Sequence, residues 1–367
     1  MRVASLAFIL TPGLALAEPP RVVADIAPVH SIAAAVMEGV ATPSLIVPPT
    51  ASPHGYSLRP SEARALDRAD MVVWVGPALA PWLDGPVDAL AGEAKVLTLL
   101  DVPGTNLLDL REGAAFEAGH EGHDHRAHDH GDHEHDHAEH SGDKEDHDGH
   151  DHDAHDHDDH DHSGHDHASD AKAEHEHDHE DHAHDHDDHA HGDDHDKHAE
   201  GIDAHAWLDP QNAITWANEI ATQLGELDPE NAATYSDNAL KFRQDISNAE
   251  ADIAALLAPV QGKPFVVFHD AYHYFEDHFG VEAVGAVSAG DAASASAGRV
   301  AELRERIAEF GAVCALTEPQ FNPGVIEAVG AVKLGEVDPI GAALTEGPDL
   351  YEAMLRNMAS ALAECLQ

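Results

Sequence analysis

The chain has 367 residues, of which 70 are Asp or Glu, 19 are Lys or Arg and 34 are His, for a formal net charge of −51. A chain this acidic excludes nucleic acid and anionic lipid as natural partners and favours cations. Past the first 17 residues no stretch approaches ~18 uninterrupted apolar residues, so no stable membrane insertion is expected.

Residues 1–17, MRVASLAFILTPGLALA, carry a basic Arg2, an apolar stretch and Ala15-Leu16-Ala17 before Glu18. This is the pattern of a secretory signal cleaved after Ala17, and it predicts export. RVVADIAP (21–28) then reads as a buried strand, and the VHSIAAAVMEGV that follows reads as a helix ending at Gly39. SLIVPP (44–49) is a second strand. A helix over 61–69 with Ser61 as its N-cap precedes strands at 71–76 and 95–100. Short apolar runs alternating with amphipathic helices predict parallel sheets covered by helices.

The next segment has a different character. From His120 to His198 the chain is almost entirely His, Asp, Glu, Ala and Gly, with 28 histidines and no apolar residue larger than Ala. It cannot bury enough surface to offset the entropy of ordering, so the stretch 117–200 is expected to be disordered without metal. The repeated His-x-His spacing puts successive rings on one side of an extended chain. Rings at His120, His123, His125, His150, His152, His177, His179 and His198 are expected to give many weak, exchanging metal sites.

Regular structure resumes at DPQNAITWANEIATQLGELD, a helix with Asp209 as N-cap and Pro210 at its first position. Residues 228–260 follow as ~30 residues without internal Gly or Pro. A helix of that length spans about 45 Å at ~1.5 Å per residue, enough to link two lobes. Strands at 262–270, 281–287, 312–319 and 332–339 restart the alternation, and a final helix closes the chain. The expected organisation is an α/β protein of two lobes: residues 18–227, the linking helix 228–260, and residues 261–367. The even cysteine count in an exported chain predicts a Cys314–Cys365 disulfide, with two separate buried thiols as the alternative.

Six histidines lie outside the run: His30, His54, His205, His269, His273 and His278. His54 follows the second strand, His205 precedes a helix N-cap, and His269 ends a strand, as Asp338 does. In open α/β sheets, ligands bind beyond the carboxyl ends of strands. Three imidazoles and a carboxylate suit Zn2+. His30, His273 and His278 fall in helical stretches and read as structural, with His273 the nearest competitor to the set.

The stretches PHGYSLRPS, DAHAWLDPQNA, FVVFHDAYHYFEDHFG, LTEPQFNP and VDPIG resemble those of the ZnuA-like periplasmic zinc-binding receptors of ABC importers, within the metal-binding solute-binding proteins. The resemblance spans nearly the whole folded chain. It implies two α/β lobes, a rigid linking helix, zinc in the cleft, and His54, His205 and His269 as ligands. It also implies the Cys314–Cys365 disulfide and a His-rich insertion at this place. Some zinc receptors carry a Glu before the first ligand histidine. Here that residue is Pro53, so Asp338 or a water completes the set.

The implied function is a periplasmic receptor, a monomer and not an enzyme. It hands Zn2+ to a membrane permease with its ATPase, a periplasmic zinc chaperone being a further partner. The run would scavenge or buffer zinc. A zinc store without a transporter shares the same site. A zinc hydrolase would need an open zinc position and a nearby base. The sequence has no His-Glu-x-x-His helix, and Glu318, the nearest carboxylate, reads as structural.

Overall fold

The computed structural model describes residues 18–111, 116, 201–288, 297–319, 330 and 332–367. The expected signal segment and the His-rich run, with its eight named histidines, lie outside them. Two four-stranded parallel sheets form the frame. The first holds β1 (Val22–Ala24), β2 (Ser44–Leu45), β3 (Met71–Trp74) and β4 (Lys95–Thr98) in the order β2-β1-β3-β4. The second holds β5 (Phe265–His269), β6 (Ala283–Ser288), β7 (Cys314–Thr317) and β8 (Lys333–Glu336) in the order β6-β5-β7-β8. In each sheet the order reverses beside the first strand, which opens a crevice at the strands' carboxyl ends. The central strands are buried along their whole length, as their unbroken apolar runs require.

Helices α1 (Ala27–Val36), α2 (Pro60–Asp67) and α3 (Pro81–Leu90) belong with the first sheet. Helix α2 starts one residue earlier than Ser61 as N-cap would give. Arg59 is the cap residue, Pro60 fixes the first turn, and Glu62 accepts the Arg59 backbone N–H at 2.7 Å. A proline at the first helical position and a glutamate three residues past the cap outweigh a serine hydroxyl.

After the run come α4 (Pro210–Leu227) and α5 (Ala232–Leu257). The expected cap at Asp209 is present, its carboxylate accepting the Gln211 N–H at 2.8 Å. Helix α5 begins at Ala232 rather than at the Asp-Pro pair. Asp228 instead accepts from Asn231 Nδ2 at 2.7 Å and the Tyr235 hydroxyl at 2.8 Å, closing the α4–α5 turn. Helices α6 (His273–Phe279) and α7 (Ala297–Phe310) flank the second sheet.

The C-terminal helix α8 (Leu350–Leu366) lies against β7 and β8 of the second sheet and also reaches beyond it. It packs on α1 and α5, and the Ser31 hydroxyl accepts the Tyr351 N–H at 3.0 Å. One continuous core therefore contains residues of both sheets, from Val23 to Phe265 and Met354. Cys314 and Cys365 form a disulfide that ties α8 to β7 across a sequence separation of 51. No helix among the described residues is long and apolar enough to cross a membrane.

His278 rivets three helices. It projects from α6, with Nδ1 3.2 Å from Asp209 at the start of α4 and Nε2 2.9 Å from Glu250 on α5. Burial opposes its charge, but the two carboxylates prevail and push its pKa up to about 9 from the usual 6.5. Because the folded value is raised, this stabilisation is complete below pH 6.5 and fades as pH rises through 9. His278→Gln is expected to cost about 1–3 kcal/mol at pH 6. It should also flatten the fall in urea-unfolding free energy between pH 6.5 and 9. Parallel pH curves for variant and wild type would contradict this assignment.

Candidate metal centre

The fold brings three of the sequence-selected histidines together. His269 is the last residue of β5 and is 2 % exposed. His205, 7 % exposed, sits just before a single 3-10 turn (Ala206–Leu208) that leads into α4. That turn is fixed by Asn212, which donates to the Ala206 carbonyl at 3.0 Å and accepts the Asn106 N–H at 2.6 Å. His54 lies in the irregular segment between β2 and α2 and is half-buried. Trp82 donates its indole N–H to the Pro53 carbonyl at 2.7 Å, holding that segment against α3.

The geometry is that of two imidazole pairs sharing His205. The Nε2 atoms of His54 and His205 are 3.4 Å apart, with ring centres at 5.3 Å. The ring centres of His205 and His269 are 5.5 Å apart. Zinc binds imidazole nitrogen at about 2.0–2.1 Å in tetrahedral sites, which sets two such nitrogens roughly 3.4 Å apart and their ring centres about 5.2 Å apart. The pair distances match that requirement within a few tenths of an ångström. Among the described residues no three His, Cys, Asp or Glu side chains already close on one point tightly enough to hold an ion.

Two buried carboxylates stand behind the rings. Asp203 Oδ1 is 2.7 Å from His205 Nδ1 and also accepts the His205 backbone N–H at 2.9 Å. Burial works against ionising Asp203, but the His205 ring, its two hydrogen bonds and His273 hold its carboxyl below the usual range. An ionised carboxylate only accepts, so it holds a proton on Nδ1, and in the neutral ring the Nε2 lone pair then faces His54. Glu318, just past β7, lies with Oε1 2.5 Å from His269 Nδ1, and both side chains are nearly inaccessible. A carboxylate on one ring nitrogen fixes the ring's orientation and raises the basicity of the other nitrogen.

Asp338 lies two residues past the end of β8, next to Pro339, which connects to the cluster through Trp207. The Trp207 indole donates to the Pro339 carbonyl at 2.8 Å, and the Trp207 ring centre is 5.2 Å from that of His205. Asp338 Oδ2 accepts the Ala343 N–H at 2.9 Å, while Oδ1 is buried without a hydrogen-bond partner. His30 is held apart: its Nε2 lies 3.0 Å from the Pro43 carbonyl, and burial lowers its pKa. His273 Nδ1 lies 3.9 Å from Asp203 Oδ2.

Sequence reasoning took Glu318 as structural and passed over Asp203. Both contacts had a signal. Asp203 is two residues before His205, and Glu318 follows a strand that pairs directly with the strand ending in His269. Asp203→Ala is expected to remove the preference of His205 for the Nδ1–H tautomer, readable from its ring nitrogen shifts by NMR. An unchanged tautomer would mean that Asp203 does not orient the ring.

Comparison with known proteins agrees with this architecture. The family model described as the periplasmic zinc-uptake complex component A matches residues 22–365. The high-affinity zinc uptake system protein ZnuA of Brucella abortus (strain 2308) is 41% identical over 348 residues, covering 94% of this chain and 91% of that protein. The ZnuA of Paracoccus denitrificans (strain Pd 1222) is 43% identical over 356 residues, covering 96% and 93%. Among solved structures, a crystal structure of ZnuA aligns with a TM-score of 0.64 at 17% identity, covering 95% of this chain and all of that one. A ZnuA deletion mutant with zinc bound aligns with a TM-score of 0.61 at 17% identity, covering 95% and 98%.

Proposed function

The chain belongs to the family of periplasmic zinc-uptake components, and on that premise we propose that it captures Zn2+ in the cleft between its two sheets and delivers it to an ABC-type permease and its ATPase. The observation that carries this reading is the arrangement of His54, His205 and His269, with two Nδ1 atoms engaged by buried carboxylates. Nitrogen donors prepared in this way suit Zn2+ better than harder cations. Asp338 supplies the fourth ligand through Oδ1, the buried oxygen that has no other partner. The protein is exported to the periplasm, with its signal removed after Ala17, and acts as a monomer.

The insertion scavenges and buffers zinc for this site. Its two ends are tied together, since Leu110 N–H donates to the Gly201 carbonyl at 2.7 Å and Asp203 N–H donates to the Leu108 carbonyl at 2.8 Å. The run therefore rejoins the chain immediately before Asp203 and His205, and a tethered donor raises the local zinc concentration. A hydrolytic role has less support. Glu318, the carboxylate nearest His269, lies against that ring rather than standing free as a base.

Two measurements test the reading. With residues 120–198 removed and the metal stripped, zinc titration against a competing chelator should show one tight site, lost in His205→Ala. No tight site, or one indifferent to His205→Ala, would move the receptor function to the run. Affinity should also fall as pH drops below about 6.5, because imidazole must be neutral to ligate. A constant affinity from pH 7 to pH 5 would rule out histidine ligation.

A further inference from the structure

Arg111 is the last residue described before the insertion except Phe116, and its guanidinium is committed to the second sheet. Its Nε donates to both carboxylate oxygens of Asp270, at 3.1 and 3.0 Å, and Nη2 also reaches Asp270 Oδ1. Nη1 donates to Glu276 Oε2 at 2.6 Å and Nη2 to Glu276 Oε1 at 3.3 Å. The guanidinium lies 3.9 Å above the ring of Phe116, itself buried. All three charged side chains are largely shielded from solvent, at 14, 11 and 3 % exposure for Arg111, Asp270 and Glu276.

Asp270 directly follows His269. Glu276 lies on α6 and also accepts the Ala283 N–H of β6 at 3.1 Å. One guanidinium therefore spans the turn that leaves the His269 strand, the helix after it and the start of the neighbouring strand. The backbone that carries Arg111 is itself fixed: the Tyr274 hydroxyl accepts the Leu108 N–H at 2.9 Å and donates to the Asp203 carbonyl at 2.9 Å. The base of the insertion thus ties together the segments that present His205 and His269. A planar fork gripping two carboxylates resists rotation in a way a point charge does not.

We propose that Arg111 is a positioning residue of the metal centre, holding the turn after β5 so that His269 is presented to an ion bound by His205 and His54. The inference rests on the ligand reading above. Electrostatics alone would give the opposite sign, since removing a positive charge near a cation should tighten binding. The two effects are therefore separable.

The test is a mutant cycle in the full-length apo protein, with zinc titrated against a chelator strong enough to silence weak sites. Arg111→Gln is expected to weaken the tight site about tenfold or more, in the range usual for residues that orient a ligand. In a His269→Ala background the same change should alter the residual affinity less than about twofold. Equal losses in both backgrounds, no loss, or tighter binding would overturn the proposal. A tight site undisturbed by His269→Ala alone would overturn the ligand reading beneath it. Should Arg111→Gln fail to fold, Asp270→Asn leaves Arg111 paired with Glu276. It should weaken the tight site in the same direction, and unchanged affinity there would count against the clamp.

Discussion

The arrangement depends first on two contacts between a buried carboxylate and the Nδ1 of a buried imidazole, Asp203 with His205 and Glu318 with His269. Each contact turns an otherwise ambivalent ring into one with its lone pair directed from Nε2. Burying an unpaired carboxylate is expensive, so these acids are retained only with a partner that satisfies them. The imidazoles are those partners, and a bound divalent cation would complete the compensation.

The parallel sheets make that pairing geometrically available. Strands β5 and β7 are neighbours, so the residues at and just beyond their carboxyl ends emerge side by side. His269 and Glu318 meet for that reason, though 49 residues apart in sequence. Asp203 reaches His205 differently, through a turn two residues long anchored by Tyr274 and Leu108. Arg111 joins the two constructions. It stands on the strand-like stem paired with residues 201–203 and grips the carboxylates that follow His269.

Much of this was legible in the sequence. Buried strands declared themselves as short β-branched runs, and Asp209-Pro210 marked a helix start that the Gln211 hydrogen bond confirms. The setting of His205 among Ala, Trp and Leu separated it from the polyhistidine run, and the structure buries it accordingly. The misreading at Ser61 came from weighing a hydroxyl cap above the joint effect of Pro60 and Glu62. The supporting residues were harder to find because their signal is not local. Arg111 and Asp270 are 159 residues apart, and no periodicity or spacing rule connects them. The return of α8 to α1 is equally silent in sequence, since an amphipathic helix announces an apolar face but not the surface that will cover it.

The three histidines are unequally held, and this bears on how a receptor of this design would let its cargo go. His205 and His269 are almost fully buried and each is backed by a carboxylate. His54 is half-buried, on a segment without regular structure, anchored by the Trp82 bond to Pro53. Stiffness is thus concentrated in two ligands, and adaptability in the third. In the proposed receptor, a small displacement on docking would cost least at His54, because its segment has no regular structure and its ring is less buried than the other two. Loss of one nitrogen donor would leave the ion on the two fixed imidazoles and Asp338, a weaker set with an open position facing outward. Tight capture and ready release can then reside in one site, since the ligand that completes the coordination is also the one least buried.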